Sequence, residues 1–259
     1  MPLTEFQADL ARLLSSNRTP DSYLAGGSAM HIQPHSKRYS NDLDYFHDSE
    51  ARVATAFSED RNALLAAGFQ VNVQLQQPGF VRALVAKHPL STKVEWAHDS
   101  AWRFMPTIRD TLAGFILHPV DLATNKLLAL VGRDEPRDYL DIHDAIERIL
   151  PLGALCWAAA GKDPGFTPRS LLELLRRRGK YRPEDFARLD VVGPIDLPAL
   201  KTIWLGALDD ADAFVGAQDP GQVGCLYYSE KRNTFIQPVP TDIVVPHFGR
   251  PGGVLPLVG

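Results

Sequence analysis

The sequence predicts an α+β fold, with a mixed sheet and flanking helices over residues 1–115 and a helical region beyond. Three observations carry this reading. Asp42–Phe46 alternates polar and apolar residues as a half-buried strand does. Three further strand segments, 70–76, 80–87 and 92–98, follow in quick succession, with Pro78-Gly79 as the turn between the first two. Helical patterning then takes over, at 119–131 and 136–150.

The remaining elements are placed by caps and breakers. Thr4 reads as the N-cap of a first helix with Phe6, Leu10, Leu13 and Leu14 on one stripe, ending near Ser16-Asn17. A short apolar stretch, Tyr23–Ala25, runs into Gly26-Gly27-Ser28. Ser49–Ala67 reads as a helix with Gly68 as its stop. His88-Pro89 opens a loop before the 92–98 strand. Further on, Thr167–Arg178 reads as a basic helix and Leu197–Leu208 as another, with short strands at Cys225–Tyr228 and Thr234–Ile236. From Thr241 onward, prolines and glycines predict a loosely held extended tail. The expected organisation is a core at 1–115, a helical region at 116–215 and an irregular extension at 216–259.

Composition excludes several classes. The chain has 259 residues, 45% hydrophobic and 22% charged, which rules out a disordered chain, a fibrous repeat and a coiled coil. Lys plus Arg is 27 against 31 for Asp plus Glu, a net charge of −4, so the chain is not a general nucleic-acid coater. Two cysteines, Cys156 and Cys225, cannot build a disulfide framework or a zinc ribbon. A reducing cytosol is the expected compartment. No leader pattern opens the sequence and no apolar run approaches the ~18 residues of a membrane span, so a cytoplasmic protein is expected.

The chemistry concentrates between Leu24 and Asp44. On a strand, Asp42 and Asp44 project from one face with α-carbons roughly 6–7 Å apart. Paired carboxylates repel each other unless a cation lies between them, and two Mg²⁺ ions would both relieve the repulsion and clamp a triphosphate. Gly26 and Gly27 let the backbone turn sharply and approach a ligand, the N–H groups beyond the turn favour phosphate, and Ser28 adds a hydroxyl. Arg38 adds positive charge just ahead of the acidic pair. A solvated edge strand and a plain turn are the bland readings of each piece alone. Together they are the parts that phosphoryl or nucleotidyl transfer requires.

The string Gly26-Gly27-Ser28-Ala29, with Arg38, Ser40, Asp42 and Asp44, resembles the DNA polymerase beta-like nucleotidyltransferases. Within them it is similar to the AbiEii-type toxins of type IV toxin–antitoxin and abortive-infection systems. A second block agrees: Lys126 within Asp121–Leu130, then Arg133, Arg137, Asp138 and Asp141. The match spans roughly residues 20 to 148.

The resemblance implies a polymerase beta-like core and an NTP-dependent, Mg²⁺-dependent nucleotidyltransferase, with two ions and Mn²⁺ as an alternative. It assigns Gly27 and Ser28 to the β and γ phosphates, Asp42 and Asp44 to the metals, and Lys126 to the triphosphate or departing pyrophosphate. Arg38, Arg133 and Arg137 are nucleotide-binding candidates. A third carboxylate, metal ligand and base, falls on the strand from Thr92 to Asp99, where alternation selects Glu95 with Asp99 in reserve. The family carries aspartate there, one methylene shorter. A cognate antitoxin protein is an implied partner.

Plainer readings stand beside these. Glu95 pairs with Lys93 on a wet face; Lys126 lays its stem along an apolar helix surface; capping and intrahelical pairs such as Arg137 with Asp141 explain much of 133–141. His31 and His35 have metal-like spacing, but Pro34 between them breaks the helix that spacing needs. Ser28 lacks the G-x-S-x-G setting of a hydrolase.

Between Thr167 and Arg188, seven basic residues stand against three acids, a local net charge of +4. Tyr181 among them offers a ring for a base to stack on. This suits a polyanionic acceptor such as a tRNA 3′ end. Protein and small-molecule acceptors rank behind it. A non-catalytic NTP-binding protein and a metal nuclease built on Asp42, Asp44 and Glu95 are the competing classes.

Overall fold

The computed structural model describes residues 3–32 and 38–257. The chain divides into two compact units: residues up to His118 together with Pro251–Gly253, and Pro119–Arg250 with the residues from Val254. Residues 216–259, expected as one extension, are shared between them.

The first unit is built on a mixed seven-stranded sheet. Helix α1 (Glu5–Leu14) starts at Thr4 with a reciprocal capping box to Gln7. Strand β1 (Ser22–Ala25) leads into α2 (Gly26–His31), then β2 (Asp42–His47) and α3 (Glu50–Ala66). Ser49 caps α3, and Gly68, at φ +79°, follows its end. Strands β3 (Gln70–Gln77), β4 (Phe80–Lys87) and β5 (Leu90–His98) form a meander. The expected loop at His88-Pro89 is the tight turn of the β4–β5 hairpin, and β5 begins two residues earlier than expected. Short strands β6 (Trp102–Arg103), β7 (Ile108–Asp110) and β8 (Gly114–Ile116), which the sequence pattern does not predict, complete the unit. The sheet order is β3-β4-β5-β2-β1-β8-β7, with β2–β5 and β1–β8 parallel and the other pairs antiparallel.

One face of this sheet is packed by α1 and α3. Leu43, Tyr45, Val94, Trp96, Ala83 and Val85 are buried there, and Trp96 meets Phe57 of α3 edge-on with centroids 5.1 Å apart. A buried ion pair is enclosed with them. Arg18 Nη2 lies 2.5 Å from Asp60 Oδ1, while Trp96 Nε1 and Asn17 Nδ2 donate to the same carboxylate at 2.7 and 2.9 Å. The Arg18 guanidinium also stacks over the Tyr45 ring. By strand alternation, Asp42, Asp44, Lys93, Glu95 and Arg82 point to the opposite face.

The return segment is part of this unit. Gly252 donates its N–H to the Ala101 carbonyl at 2.8 Å. Gly253 passes so close to Met105 that a Cβ there would stand 2.2 Å from the Met105 carbonyl carbon.

The second unit contains α4 (Pro119–Arg133), α5 (Pro136–Arg148), α6 (Leu152–Lys162), α7 (Pro168–Leu175) and α8 (Leu197–Ala217). A small antiparallel sheet in the order β10-β9-β11 completes it, from β9 (Cys225–Ser229), β10 (Thr234–Ile236) and β11 (Val245–Phe248). Helix α6, which the sequence pattern does not predict, is buried along all of Leu152–Ala160 and contacts α4, α7, α8 and β9. The tail expected to be loose contains β11, which pairs with β9 over four residues. The basic helix ends at Leu175 rather than Arg178, and α8 runs nine residues beyond Leu208. Cys156 and Cys225 are buried free thiols. Among the described residues, no helix is long and apolar enough to cross a membrane.

Two outcomes are expected. Asp60→Ala leaves Arg18 charged and buried, and thermal or denaturant unfolding should show a loss of about 3–5 kcal/mol. His47 is buried with neither ring nitrogen hydrogen-bonded. Burial, reinforced by Arg18 and Arg52 and opposed by Asp21, pushes it down to about 3. The unfolded chain takes up this proton near pH 6.5 and the folded one does not, so stability present above pH 6.5 is lost toward pH 3. About 2 kcal/mol should be lost between pH 8 and pH 5. In His47→Gln that slope should flatten; an unchanged slope would remove His47 as its source.

Candidate active site

The β1–α2 turn and strands β2 and β5 bring the predicted residues together on the sheet face away from α1 and α3. Gly26 sits at φ +60°, a conformation open to glycine at no steric cost. A Cβ added there would lie 2.0 Å from Asp44 Oδ2, so the Asp44 carboxylate rests against the turn. Over Gly27 come the Arg38 guanidinium and the Ser40 hydroxyl, at 3.0 and 3.1 Å from where its Cβ would stand. Arg38 is buried, and its Nη1 donates to the Tyr39 carbonyl.

Ser28 is fully buried. Its hydroxyl donates to the Ala25 carbonyl at 3.1 Å and accepts from the Asp44 N–H at 3.4 Å. The family resemblance assigns this hydroxyl to a phosphate; in the structure it fastens the turn to β2. Ser40 performs a related task, lying 3.1 Å from both the main-chain carbonyl and Oδ1 of Asp42. Gln7 of α1 anchors Ser40 in turn, donating to its carbonyl at 2.9 Å.

Asp42 stands opposite Lys93 in the parallel β2–β5 ladder, and Asp44 stands opposite Glu95. The register thus places the third carboxylate beside the first two. Its oxygen is engaged, however: Glu95 Oε1 is 2.7 Å from Arg82 Nε and 3.0 Å from Lys93 Nζ. Lys93 also reaches Asp42 Oδ2 at 2.9 Å. Burial alone would lower the Lys93 pKa, but Asp42 and Glu95 hold it above the usual lysine value. Lys93 therefore remains an ammonium.

Asp42 and Asp44 supply hard oxygen ligands of the kind Mg²⁺ takes, typically one or two carboxylates completed by water and substrate phosphates. Among the described residues, no group of three or more His, Cys, Asp or Glu side chains is arranged to hold a metal. The donor set fits an ion shared with a phosphate ligand rather than an all-protein cage. Asp99, the reserve carboxylate, follows the end of β5 and donates its N–H to the His47 carbonyl. His31 is buried in α2, while His35 and Pro34 lie outside the described residues.

In the second unit, Lys126 is buried on α4, its Nζ 2.8 Å from Asp141 Oδ2 and 3.3 Å from Asp138 Oδ1. Both aspartates are fully buried. Arg133 clamps Asp138 with two hydrogen bonds, at 2.6 and 2.8 Å. Asp141, expected to pair along its own helix with Arg137, takes Lys126 from α4. The Arg137 Nε is buried without a hydrogen-bond partner. Helix α5 begins at Pro136 after Glu135, so Asp134 is not its cap. Asp134 instead takes a left-handed conformation and accepts from Tyr181 and Arg178.

Tyr181 departs from its expected role. It is buried against Tyr139 and Phe186, because a phenol can satisfy its hydroxyl on Asp134 while its ring fills the core. It is not a surface platform for a base. Arg169, Arg176, Arg177, Lys180, Arg182 and Arg188 of the same segment are exposed. The Glu95–Lys93 pair is one of the plainer readings of the sequence, but that Lys93 also reaches Asp42 and that Arg82 holds Glu95 is shown only by the strand register.

Comparison with known proteins gives the same picture. MenT4, a nucleotidyltransferase toxin from Mycobacterium tuberculosis H37Rv, superposes with a TM-score of 0.54 at 18% identity, covering 83% of each chain. JHP933 from Helicobacter pylori is also similar, with a TM-score of 0.47 at 15% identity over 82% of this chain and 95% of its own. No curated relative matches. The fold is that of the polymerase beta-like nucleotidyltransferases. The family described as nucleotidyl transferase AbiEii toxin, type IV TA system, matches residues 8–210, most of the chain. With its Gly-Gly-Ser turn set against Asp44, the chain belongs to the AbiEii nucleotidyltransferase toxin family and is a nucleotidyltransferase.

Proposed function

We propose that the protein transfers an NMP from an NTP to an RNA hydroxyl, with a tRNA 3′ end as the favoured acceptor, and that Mg²⁺ serves the reaction. The observation that carries this is the placement of Asp42 and Asp44 on one sheet face, with Asp44 against the Gly26 turn. The acceptor oxygen forms a bond to the α-phosphorus, the bond from that phosphorus to the β-phosphate oxygen breaks, and pyrophosphate leaves. A divalent ion held by Asp42 and Asp44 would neutralise charge on the phosphates. Ser40 fixes one Asp42 oxygen, and Ser28 fixes β2 against the turn, so both carboxylates are held before substrate arrives. Gly27 lets the Arg38 guanidinium and the Ser40 hydroxyl close on the turn, Arg38 being the adjacent positive charge.

Lys126, Arg133 and Arg137 are proposed for the nucleotide on family resemblance alone. Glu95 would act as base through its second oxygen, Oε1 being held by Arg82 and Lys93. The exposed arginines between 169 and 188 favour a polyanionic acceptor. A cognate antitoxin protein is the proposed partner, again on family grounds.

Incubation with each α-³²P-labelled NTP, Mg²⁺ and total cellular RNA should label a tRNA-sized band. Asp42→Asn and Asp44→Asn should each reduce labelling by more than about 10²-fold, since even indirect partners of a metal are worth 10–100-fold. Label on protein alone would overturn the RNA acceptor. RNA shortened without NTP would point to a nuclease instead. Gly26→Ala pushes a methyl group into the Asp44 carboxylate. It should cost about 1–2 kcal/mol of stability, but on the order of 10²-fold in transfer, through displacement of Asp44. Parallel thermal melts and labelling assays separate the two effects.

A further inference from the structure

Lys93 is the residue the expected reaction leaves without a task. It projects from β5 on the carboxylate-bearing face, directly across the parallel ladder from Asp42. Its Nζ sits 2.9 Å from Asp42 Oδ2 and 3.0 Å from Glu95 Oε1, bridging two acids that belong to neighbouring strands. Arg82, opposite Glu95 in the β4–β5 ladder, holds the same Glu95 oxygen at 2.7 Å. Glu95 is therefore fixed from one side by Arg82 and presents Lys93 to Asp42 on the other. The Lys93 side chain is 35% exposed, against 12% for Asp42 and 17% for Glu95, so the ammonium stands at the open side of the acids rather than beneath them.

An ordinary surface lysine pairs loosely with one acid. This one is placed by register, touches two, and has the second locked by another cation. A divalent ion between Asp42 and Glu95 would need metal–oxygen distances near 2.0–2.1 Å, within the space the ammonium fills, and the two cations repel.

We infer that Lys93 is a built-in cation occupying the place of a second divalent ion between Asp42 and Glu95, so that the site works with one divalent ion, not two. Asp42 then divides its oxygens: Oδ2 to Lys93, and Oδ1, oriented by Ser40, toward the ion it shares with Asp44. Glu95 becomes the fastener of that ammonium instead of a metal ligand. Its extra methylene relative to aspartate fits this role, because the carboxylate must reach both Lys93 and Arg82. The inference rests on the nucleotidyl-transfer reading.

The test counts ions. The full chain is saturated with a non-hydrolysable α,β-imido NTP and titrated with Mn²⁺, the bound ion being quantified by electron paramagnetic resonance. The wild type and Lys93→Arg should bind one Mn²⁺ per bound nucleotide. Lys93→Met, and independently Lys93→Gln, should bind two, with circular dichroism showing the fold retained. Two ions in the wild type would overturn the inference, as would one ion in both neutral variants. Failure of the wild type to bind the Mn²⁺–nucleotide at all would instead overturn the underlying nucleotidyl-transfer reading. Loss of binding in Asp42→Asn would set the baseline for background binding to nucleotide and surface.

Discussion

The chemistry of this protein hangs on the parallel, in-register pairing of β2 with β5. That ladder sets Asp42 beside Lys93 and Asp44 beside Glu95 while sending Leu43, Tyr45, Val94 and Trp96 to the helices. A slip of one residue would exchange the faces, burying carboxylates against α3 and exposing Trp96. The apolar face therefore enforces the polar one. The Arg18–Asp60 pair strengthens this constraint, because Asp60 accepts from Trp96 and Arg18 stacks on Tyr45. One buried charge pair thus holds side chains from both β2 and β5 on their correct side.

Much of this is legible in the amino-acid sequence. The α1 capping box, the glycine after α3 and the alternation of β2, β4 and β5 are local signals, and each element lies where its chemistry puts it. Helix α6 is not legible because Leu152–Ala160 is apolar on every side, and a helix buried all round has no periodicity to read. Strand β11 is hidden by the prolines and glycines around it, since pairing with β9 is a long-range event. The same limit applies within the site. Asp42, Asp44 and Glu95 follow from alternation on single strands. That Lys93 spans two of them, with Arg82 behind, depends on which strands are neighbours. Tyr181 shows the opposite error: its basic surroundings in sequence suggest a surface, whereas Asp134 and the rings of Tyr139 and Phe186 make a buried setting for it.

The α4–α5 charge cluster obeys a different constraint from the sheet face. Lys126 and Arg133 meet Asp138 and Asp141, two cations and two anions held together. Removing any one leaves an uncompensated charge among buried groups, so variants here disturb folding and chemistry together. On the sheet face the two cations are the more exposed members, Arg82 at 40% and Lys93 at 35% of their side chains, while Asp42 is buried.

The chain leaves the first unit at His118 and re-enters it only at Pro251–Gly253. During synthesis, the unit that bears the carboxylates must wait for Pro119–Arg250 of the second unit to emerge before Gly252 can reach the Ala101 carbonyl. A premature stop after codon 95 and before codon 251 would yield a product that keeps Asp42, Asp44 and Glu95 but lacks the strand segment that completes their unit.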